Sequence, residues 1–211
     1  MKALIHPASP NCVAVLAAAR ELEIELATEV VDLFGQANLD PEFLKINPNG
    51  LVPVLLDNDF VLWETTAILQ YLASQGRLES LLPLDERTRA DVTRWQAWNI
   101  AHWQPVLQTF IFENLFKRLR GLGSPDPQIL AGAVPRLIKH ARVLNTALTD
   151  REWLCAGRLT VADLAVGAYL VYAEPAAIAL GDYPHLLDWW SRLRRRPAWS
   201  AAEAGLPKLD A

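Results

Sequence analysis

The sequence predicts a small α/β domain followed by an all-helical one. Three observations carry that reading. Short β-like runs alternate with helical stretches up to about Ser80, and beyond about Glu86 the apolar residues recur at helical spacing throughout. Between them, Leu81-Leu82-Pro83-Leu84-Asp85 holds a proline and no strong periodicity, as a linker does. The division falls at residues 1–80 and 86–211, and 211 residues are enough to bury a core in each part.

Ala3–Ile5 is a short apolar run of the kind that makes a buried strand. Pro7 to Asn11 is a loop. Cys12 to Leu22 is alanine-rich, with Val13, Leu16, Ala17 and Leu22 at helical spacing, so it is a helix. Leu26 to Val31 is a second strand. Asp40 caps a short helix that has Pro41 at its first position and runs to about Ile46. Asn47-Pro48-Asn49-Gly50 is a turn. Val54–Leu56 and Phe60–Leu62, on either side of Asp57-Asn58-Asp59, form a hairpin. Thr65 or Thr66 opens a helix to about Ser74. The order β-α-β-α-β-β-α makes a mixed four-stranded sheet with helices on both faces, the thioredoxin-like arrangement. In the second half a long helix runs from about Glu86 to Arg120, bent at Pro105. Further helices follow at about Pro127–Leu148, Val161–Ala179 and Tyr183–Arg195.

Composition bounds the function. With 52% hydrophobic and 21% charged residues the chain is globular. A net charge of −4 speaks against nucleic acid or an anionic membrane as the main partner. No run of about 18 apolar residues spans a membrane. Pro7 and Pro10 interrupt any N-terminal signal core, so the cytoplasm is expected. Cys12 and Cys155 stand alone, which suggests neither a disulfide framework nor a zinc cage. His6, His102, His140 and His185 are scattered without metal-ligand spacing, so no metal is expected. The basic end of the last helix, Arg192 to Arg196, suits the helix dipole and solvent. Eight tryptophans need a large apolar interior, an interface or a ligand pocket. Trp95, Trp98, Trp103, Ile100, Phe110 and Phe112 on the long helix line such a pocket or fill the core or a dimer interface.

Four short segments hold residues suited to chemistry. In Ser9-Pro10-Asn11-Cys12, at the start of a helix, the partial positive charge stabilises a thiolate. Ser9 and Asn11 can donate hydrogen bonds to a sulfur, and Cys12 can itself be the thiol. Equally, Ser9 and Asn11 can be simple caps and Cys12 a small hydrophobe. In Gly50-Leu51-Val52-Pro53-Val54, a cis-proline would free the Val52 backbone to pair with an extended ligand, while a trans-proline would only start an edge strand. Glu64 and Thr65 at a helix start can hold a ligand ammonium and carboxylate, or merely cap. Thr160-Val161-Ala162-Asp163 is a capping box with Asp in place of Glu, and is structural.

Together, and in this order, these segments resemble the cytosolic glutathione transferase family, in a bacterial theta-like or nu-like form. The resemblance spans essentially the whole chain. It is carried by Ser9–Cys12, Pro41–Leu55, Glu64–Leu72 and Leu159–Asp163. It implies an α/β N-terminal thioredoxin-like domain plus an all-α C-terminal domain, glutathione as co-substrate, and a homodimer. By the same resemblance, Val52-Pro53 is the cis step that pairs with the cysteinyl part of glutathione, and Leu51 lies beside it. Glu64 and Thr65 hold the γ-glutamyl end, and Ser9, with Asn11, faces the sulfur. Activation of the thiol for attack on a small hydrophobic electrophile in the helical domain follows. The alternatives are a glutathione-dependent disulfide or peroxide reductase using Cys12, and a non-catalytic binding or scaffold protein of the same fold. Val13, Ala14, Leu51, Gln36 and Asn38 stand where relatives carry basic or amide side chains that meet glutathione. Their presence points to weaker binding.

Overall fold

The computed structural model describes residues 1–76 and 81–207. The predicted end of the first domain, Ser80, lies outside the described residues. The chain begins with β1 (Lys2–Ile5), α1 (Pro10–Glu21), β2 (Ala27–Val30), α2 (Pro41–Ile46), β3 (Val54–Asp57), β4 (Phe60–Trp63) and α3 (Thr65–Gln75). The strands lie in the order β2-β1-β3-β4, with β1 and β2 parallel and the other pairs antiparallel. A parallel pair needs a crossover, which α1 supplies. The antiparallel β3–β4 pair needs only a two-residue turn, in which Asn58 takes a left-handed φ of 55°. This is the thioredoxin-like sheet. Val54 and Leu55 are neighbours on β3 and so face opposite ways. Val54 enters a small core with Leu4, Ile5 and Phe43 of α2, and Leu55 enters the large core shared with the helical domain.

The helical domain begins with α4 (Glu86–Trp98), capped by Asp85, whose carboxylate accepts the Thr88 N–H at 2.8 Å. The rod that follows differs from a helix with one bend at Pro105. It widens into π-helical turns at Asn99–Trp103 and Phe112–Phe116, on either side of α5 (Gln104–Ile111), and ends in α6 (Lys117–Leu119). Pro105 lacks an N–H and its ring would press on a carbonyl one turn back, and the widened turn before it relieves both. Next come α7 (Pro127–Ala147), α8 (Val161–Gly167), α9 (Pro184–Arg194) and α10 (Pro197–Glu203). Helix α8 is much shorter than its apolar run: it tightens into a 3-10 stretch over Ala168–Tyr172, and turns follow. Helix α10 is a separate element beyond the last predicted helix.

Asp163 joins this domain together. Fully buried, its carboxylate accepts hydrogen bonds from Thr160 N–H, Thr160 Oγ1, Leu154 N–H and Trp189 Nε1, at 2.9 to 3.0 Å. Burial pushes its pKa up to about 6, against the pull of these donors. The C-terminal arginines do more than meet solvent. Arg196 grips Glu21 at the end of α1 with two bonds of 2.6 and 2.7 Å, and Arg192 donates to the Glu152 carbonyl at 2.7 Å. The linker is drawn in too: Leu81 is buried, and its carbonyl accepts the Val161 N–H at 2.9 Å. Among the described residues no helix is long and apolar enough to cross a membrane.

Candidate active site

A cleft of about 480 Å³ opens between the C-terminal end of β1, the turn into the N-terminal end of β3 and the long helical rod. That volume lies in the range of small-ligand sites. Ser9, Asn11, Leu51, Val52 and Glu64 all line it. Thr65, Pro53 and Cys12 do not, although each adjoins a residue that does.

Ser9 sits at the N-cap of α1 with extended backbone, yet its side chain makes no capping bond. Its carbonyl accepts the Cys12 and Val13 N–H groups at 3.0 and 3.2 Å. Pro10 has no N–H, so Asn11 carries the first free N–H of the helix among the described residues. The nearness of the Ser9 hydroxyl partly offsets the effect of burial on the Cys12 thiol, a weak interaction that a charged ligand would displace. Cys12 itself is 1% exposed and packs with Ala3, Ile5 and Val54. Burial pushes its thiol pKa up to about 11, the reverse of what a nucleophilic cysteine needs.

Opposite this loop, the turn into β3 is held open by asparagines. Asn47, itself buried, donates through Nδ2 to the Leu51 carbonyl at 2.8 Å, and Asn38 donates to the Gly50 carbonyl at 2.7 Å. Gly50 has φ 62°, and a Cβ there would come within 3.1 Å of the Asn38 carbonyl, so the position requires glycine. The Val52-Pro53 bond is cis. Neither the N–H nor the carbonyl of Val52 has a backbone partner among the described residues. Leu51 is 61% exposed at the rim. The N-cap of α3 is Glu64 rather than a threonine. It has φ 74° and ψ 118° and makes no capping bond. A non-glycine residue held there carries backbone strain of about 1–3 kcal/mol, a mark of functional positions.

Three contributions to the cleft have no counterpart in the sequence reading. The first is Tyr169, from the 3-10 stretch. Around its hydroxyl oxygen lie three carboxamides: Asn11 Nδ2 at 3.3 Å, and Gln104 Nε2 and Gln108 Nε2 each at 3.0 Å. Burial pushes its pKa up to about 12, so the phenol keeps its proton at neutral pH. The second is His6, whose Nδ1 accepts the Ala8 N–H at 3.1 Å while its ring meets the edge of Phe34. Burial lowers its pKa, with Asp32 opposing, so the ring is neutral. The third is Arg120, among the described residues the one Lys or Arg side chain lining the cleft. Of the aromatic set on the long helix, only Phe112 reaches the cleft, where it makes an apolar wall with Ile111 and Phe116. Trp95, Trp103 and Phe110 are core, Trp98 packs between Trp95 and Trp103, and Ile100 is exposed elsewhere. A larger groove of about 930 Å³ between α4 and α7 contains none of the predicted site residues.

The site spans both domains. The Tyr172 hydroxyl donates to the Ala8 carbonyl at 2.9 Å, so the helical domain holds the loop that carries Ser9 and Asn11.

Comparison with known proteins agrees with this architecture. Residues 8–75 match the family "Glutathione S-transferase, N-terminal domain", and residues 124–197 match "Glutathione S-transferase, C-terminal domain". The chain is 32% identical to glutathione S-transferase 3 of Zea mays over 206 residues, 95% of this chain and 92% of the maize protein. Among solved structures, glutathione transferase F7 from Populus trichocarpa superposes with a TM-score of 0.90 at 27% identity, covering 98% of this chain and 99% of the other. The theta-class glutathione S-transferase of Xanthomonas axonopodis pv. citri, solved with glutathione bound, superposes with a TM-score of 0.86 at 29% identity, covering 95% of each. The chain belongs to the glutathione S-transferase family.

Proposed function

We propose that this protein is a glutathione transferase that ionises the glutathione thiol between Ser9 and Asn11 and directs it at a small hydrophobic electrophile. The observation that carries the reading is the meeting of four features in one cleft. These are the Ser9 side chain, which caps no N–H of its helix, the Asn11 amide, the Val52 backbone without a backbone partner among the described residues, and the strained Glu64. An extended peptide-like ligand pairs with Val52 as an added strand would, and its ammonium meets Glu64 and Thr65. The sulfur then lies by the N-terminus of α1, where donor hydrogen bonds and the helix dipole favour the thiolate. The thiol proton leaves to water. The sulfur lone pair forms a bond to the electrophilic carbon held against Ile111, Phe112 and Phe116, and the displaced electron pair departs with the leaving group or stays on the acceptor.

Cys12 takes no part, because it is buried and its thiol is protonated. That removes the observation on which a reductase reading would rest. Ser9 and Asn11 together support the theta-like or nu-like assignment, while the relatives above include plant enzymes as well as a bacterial theta-class one. The cytoplasm and a homodimer complete the proposal; exposed Phe60, Val61 and Trp63 on β4 suit a subunit contact. Among the described residues Arg120 is the one Lys or Arg lining the cleft, so binding of the anionic peptide is expected to be modest.

The test is calorimetric titration with reduced glutathione, on the native protein and on Glu64→Ala, followed by turnover assays with a panel of electrophiles. Binding that Glu64→Ala abolishes supports the site. No binding to the native protein refutes it and favours a scaffold role.

A further inference from the structure

The rod presents one stripe of side chains to the cleft. Gln104, Gln108, Phe112, Phe116 and Arg120 all line it, each four residues after the last. Residues at that spacing share a helix face. The stripe changes chemistry along its length. Gln104 and Gln108 meet the Tyr169 hydroxyl beside Asn11, so they mark the end at which the sulfur is placed. Two phenylalanines follow, and then a cation. At about 1.5 Å per residue, Phe112 and Phe116 stand about 6 and 12 Å beyond Gln108, and Arg120 about 18 Å beyond it. Side chains on a helix lean toward its N-terminus, so Arg120 covers the turn that carries Phe116.

The Arg120 guanidinium is also uncommitted: among the described residues it has no ion pair, side-chain hydrogen bond or ring contact. Lys117, on the same rod, differs in that Glu113 holds it at 2.8 Å. Glu64, among the described residues the one carboxylate lining the cleft, stands across it at the start of α3. An anionic group entering the cleft is therefore drawn to the far end of the phenylalanine wall and away from Glu64.

We propose that Arg120 selects the electrophile: an elongated apolar molecule with its reacting carbon at one end and a carboxylate at the other. The inference rests on the reading that glutathione attacks an electrophile held against Phe112 and Phe116, and it names the class of that electrophile. The reacting carbon lies by Gln108, the apolar body covers the two rings, and the carboxylate meets the guanidinium, whose planar fork matches its two oxygens.

Two nitroaryl chlorides test this. Both carry the same alkyl chain, long enough to pass both rings, ending in a carboxylate in one and in its primary amide in the other. The carbon that the sulfur attacks is then identical, and chloride leaves in each. In the native protein kcat/KM is expected to favour the carboxylate about three- to tenfold, between the effect of an exposed ion pair and that of a charged hydrogen bond. Arg120→Met is expected to abolish that preference and Arg120→Lys to keep part of it, with glutathione affinity unchanged in both. Added salt should shrink the native preference, since Arg120 is exposed. No preference in the native protein overturns the proposal. So does an equal loss for both electrophiles in Arg120→Met, or a loss of glutathione affinity, which would assign Arg120 to the peptide. If the native protein binds glutathione yet converts neither chloride, the activity reading fails, and calorimetry with the two chlorine-free analogues on the glutathione-saturated protein decides the anion site. Tighter binding of the carboxylate that Arg120→Met removes supports it, and equal binding overturns it. A native protein that binds no glutathione refutes the site reading, and this inference with it.

Discussion

Replacing Ser9 by alanine separates a cap from a functional hydroxyl. A serine that caps a helix through its side chain loses about 1 kcal/mol of stability on conversion to alanine. Here the side chain bonds no N–H of α1, and the capping acceptor is the Ser9 carbonyl, which alanine retains. The melting temperature is therefore expected to stay nearly constant. The loss should fall on turnover instead. A hydrogen bond to a charged sulfur is worth about 1.5–3 kcal/mol. From that any interaction of the Ser9 hydroxyl with the Cys12 thiol, about 0.5 kcal/mol, must be subtracted, because Ser9 gives it up when a thiolate arrives. The remainder, about 1–2.5 kcal/mol, corresponds to a fall of about 5- to 70-fold in kcat/KM. The assay is conjugation of a chromogenic electrophile at saturating and limiting glutathione, with thermal unfolding on the same preparation. Turnover within about twofold of native, or a fall in stability equal to a lost cap, would show that Ser9 is a structural residue and refute the reasoning.

Glu64→Gly should relieve a strain of about 1–3 kcal/mol at φ 74° against a backbone entropy cost of about 0.5–1 kcal/mol, so the variant melts no lower than the native protein while its calorimetric affinity for glutathione falls. Asp163→Ala leaves four buried donors without an acceptor and is expected to cost about 3–5 kcal/mol in urea unfolding. In the native protein the Asp163 carboxyl takes up its proton near pH 6 but in the unfolded chain only near 3.8. Its contribution to stability therefore rises as pH falls through that window, and the stability difference between native protein and Asp163→Asn should widen from pH 6 to pH 4. Cys12, with a thiol pKa pushed to about 11, has about one molecule in a thousand ionised at pH 8. A thiol reagent should thus leave the native protein almost unlabelled while it labels both cysteines in urea; rapid native labelling would revive the reductase reading. Tyr172→Phe removes the bond to the Ala8 carbonyl and should lower stability by about 1–3 kcal/mol and kcat more than glutathione affinity, measured by unfolding and steady-state kinetics.

Much of the first domain could be read locally because its signals are local. Asp40-Pro41 marks a helix start, and its carboxylate does accept the Glu42 N–H at 2.8 Å. The short polar stretch after Val54–Leu56 marks a hairpin. The end of α8 was not readable in the same way. The apolar run beyond Gly167 has helical periodicity, and only packing against α5 and α1 decides that it tightens into a 3-10 stretch. The N-cap at Glu64 escapes propensity reasoning altogether, since a left-handed glutamate is unfavourable locally and is imposed by its surroundings. Tyr169 was invisible for another reason: it meets Asn11 across 158 residues, and no local pattern encodes that meeting. A faint signal existed in Gln104 and Gln108, two amides one turn apart on a helix whose neighbours Val106, Leu107, Phe110 and Ile111 are buried.

The placement of these residues also divides the work between the domains. In the proposed function the groups assigned to the extended peptide, Val52, Glu64 and Thr65, belong to the first domain, and its own turns are set through Asn38, Asn47 and Gly50. The groups assigned to the sulfur sit on a loop that the helical domain holds, through Tyr172 on Ala8 and Tyr169 beside Asn11. On that proposal, affinity for glutathione and ionisation of its thiol would be carried by different contacts within one cleft. The apolar wall proposed for the electrophile, Ile111, Phe112 and Phe116, lies on the same rod as Gln104 and Gln108. A shift of that rod would therefore alter the electrophile site and the amide network together, and leave the contacts to the peptide backbone in place.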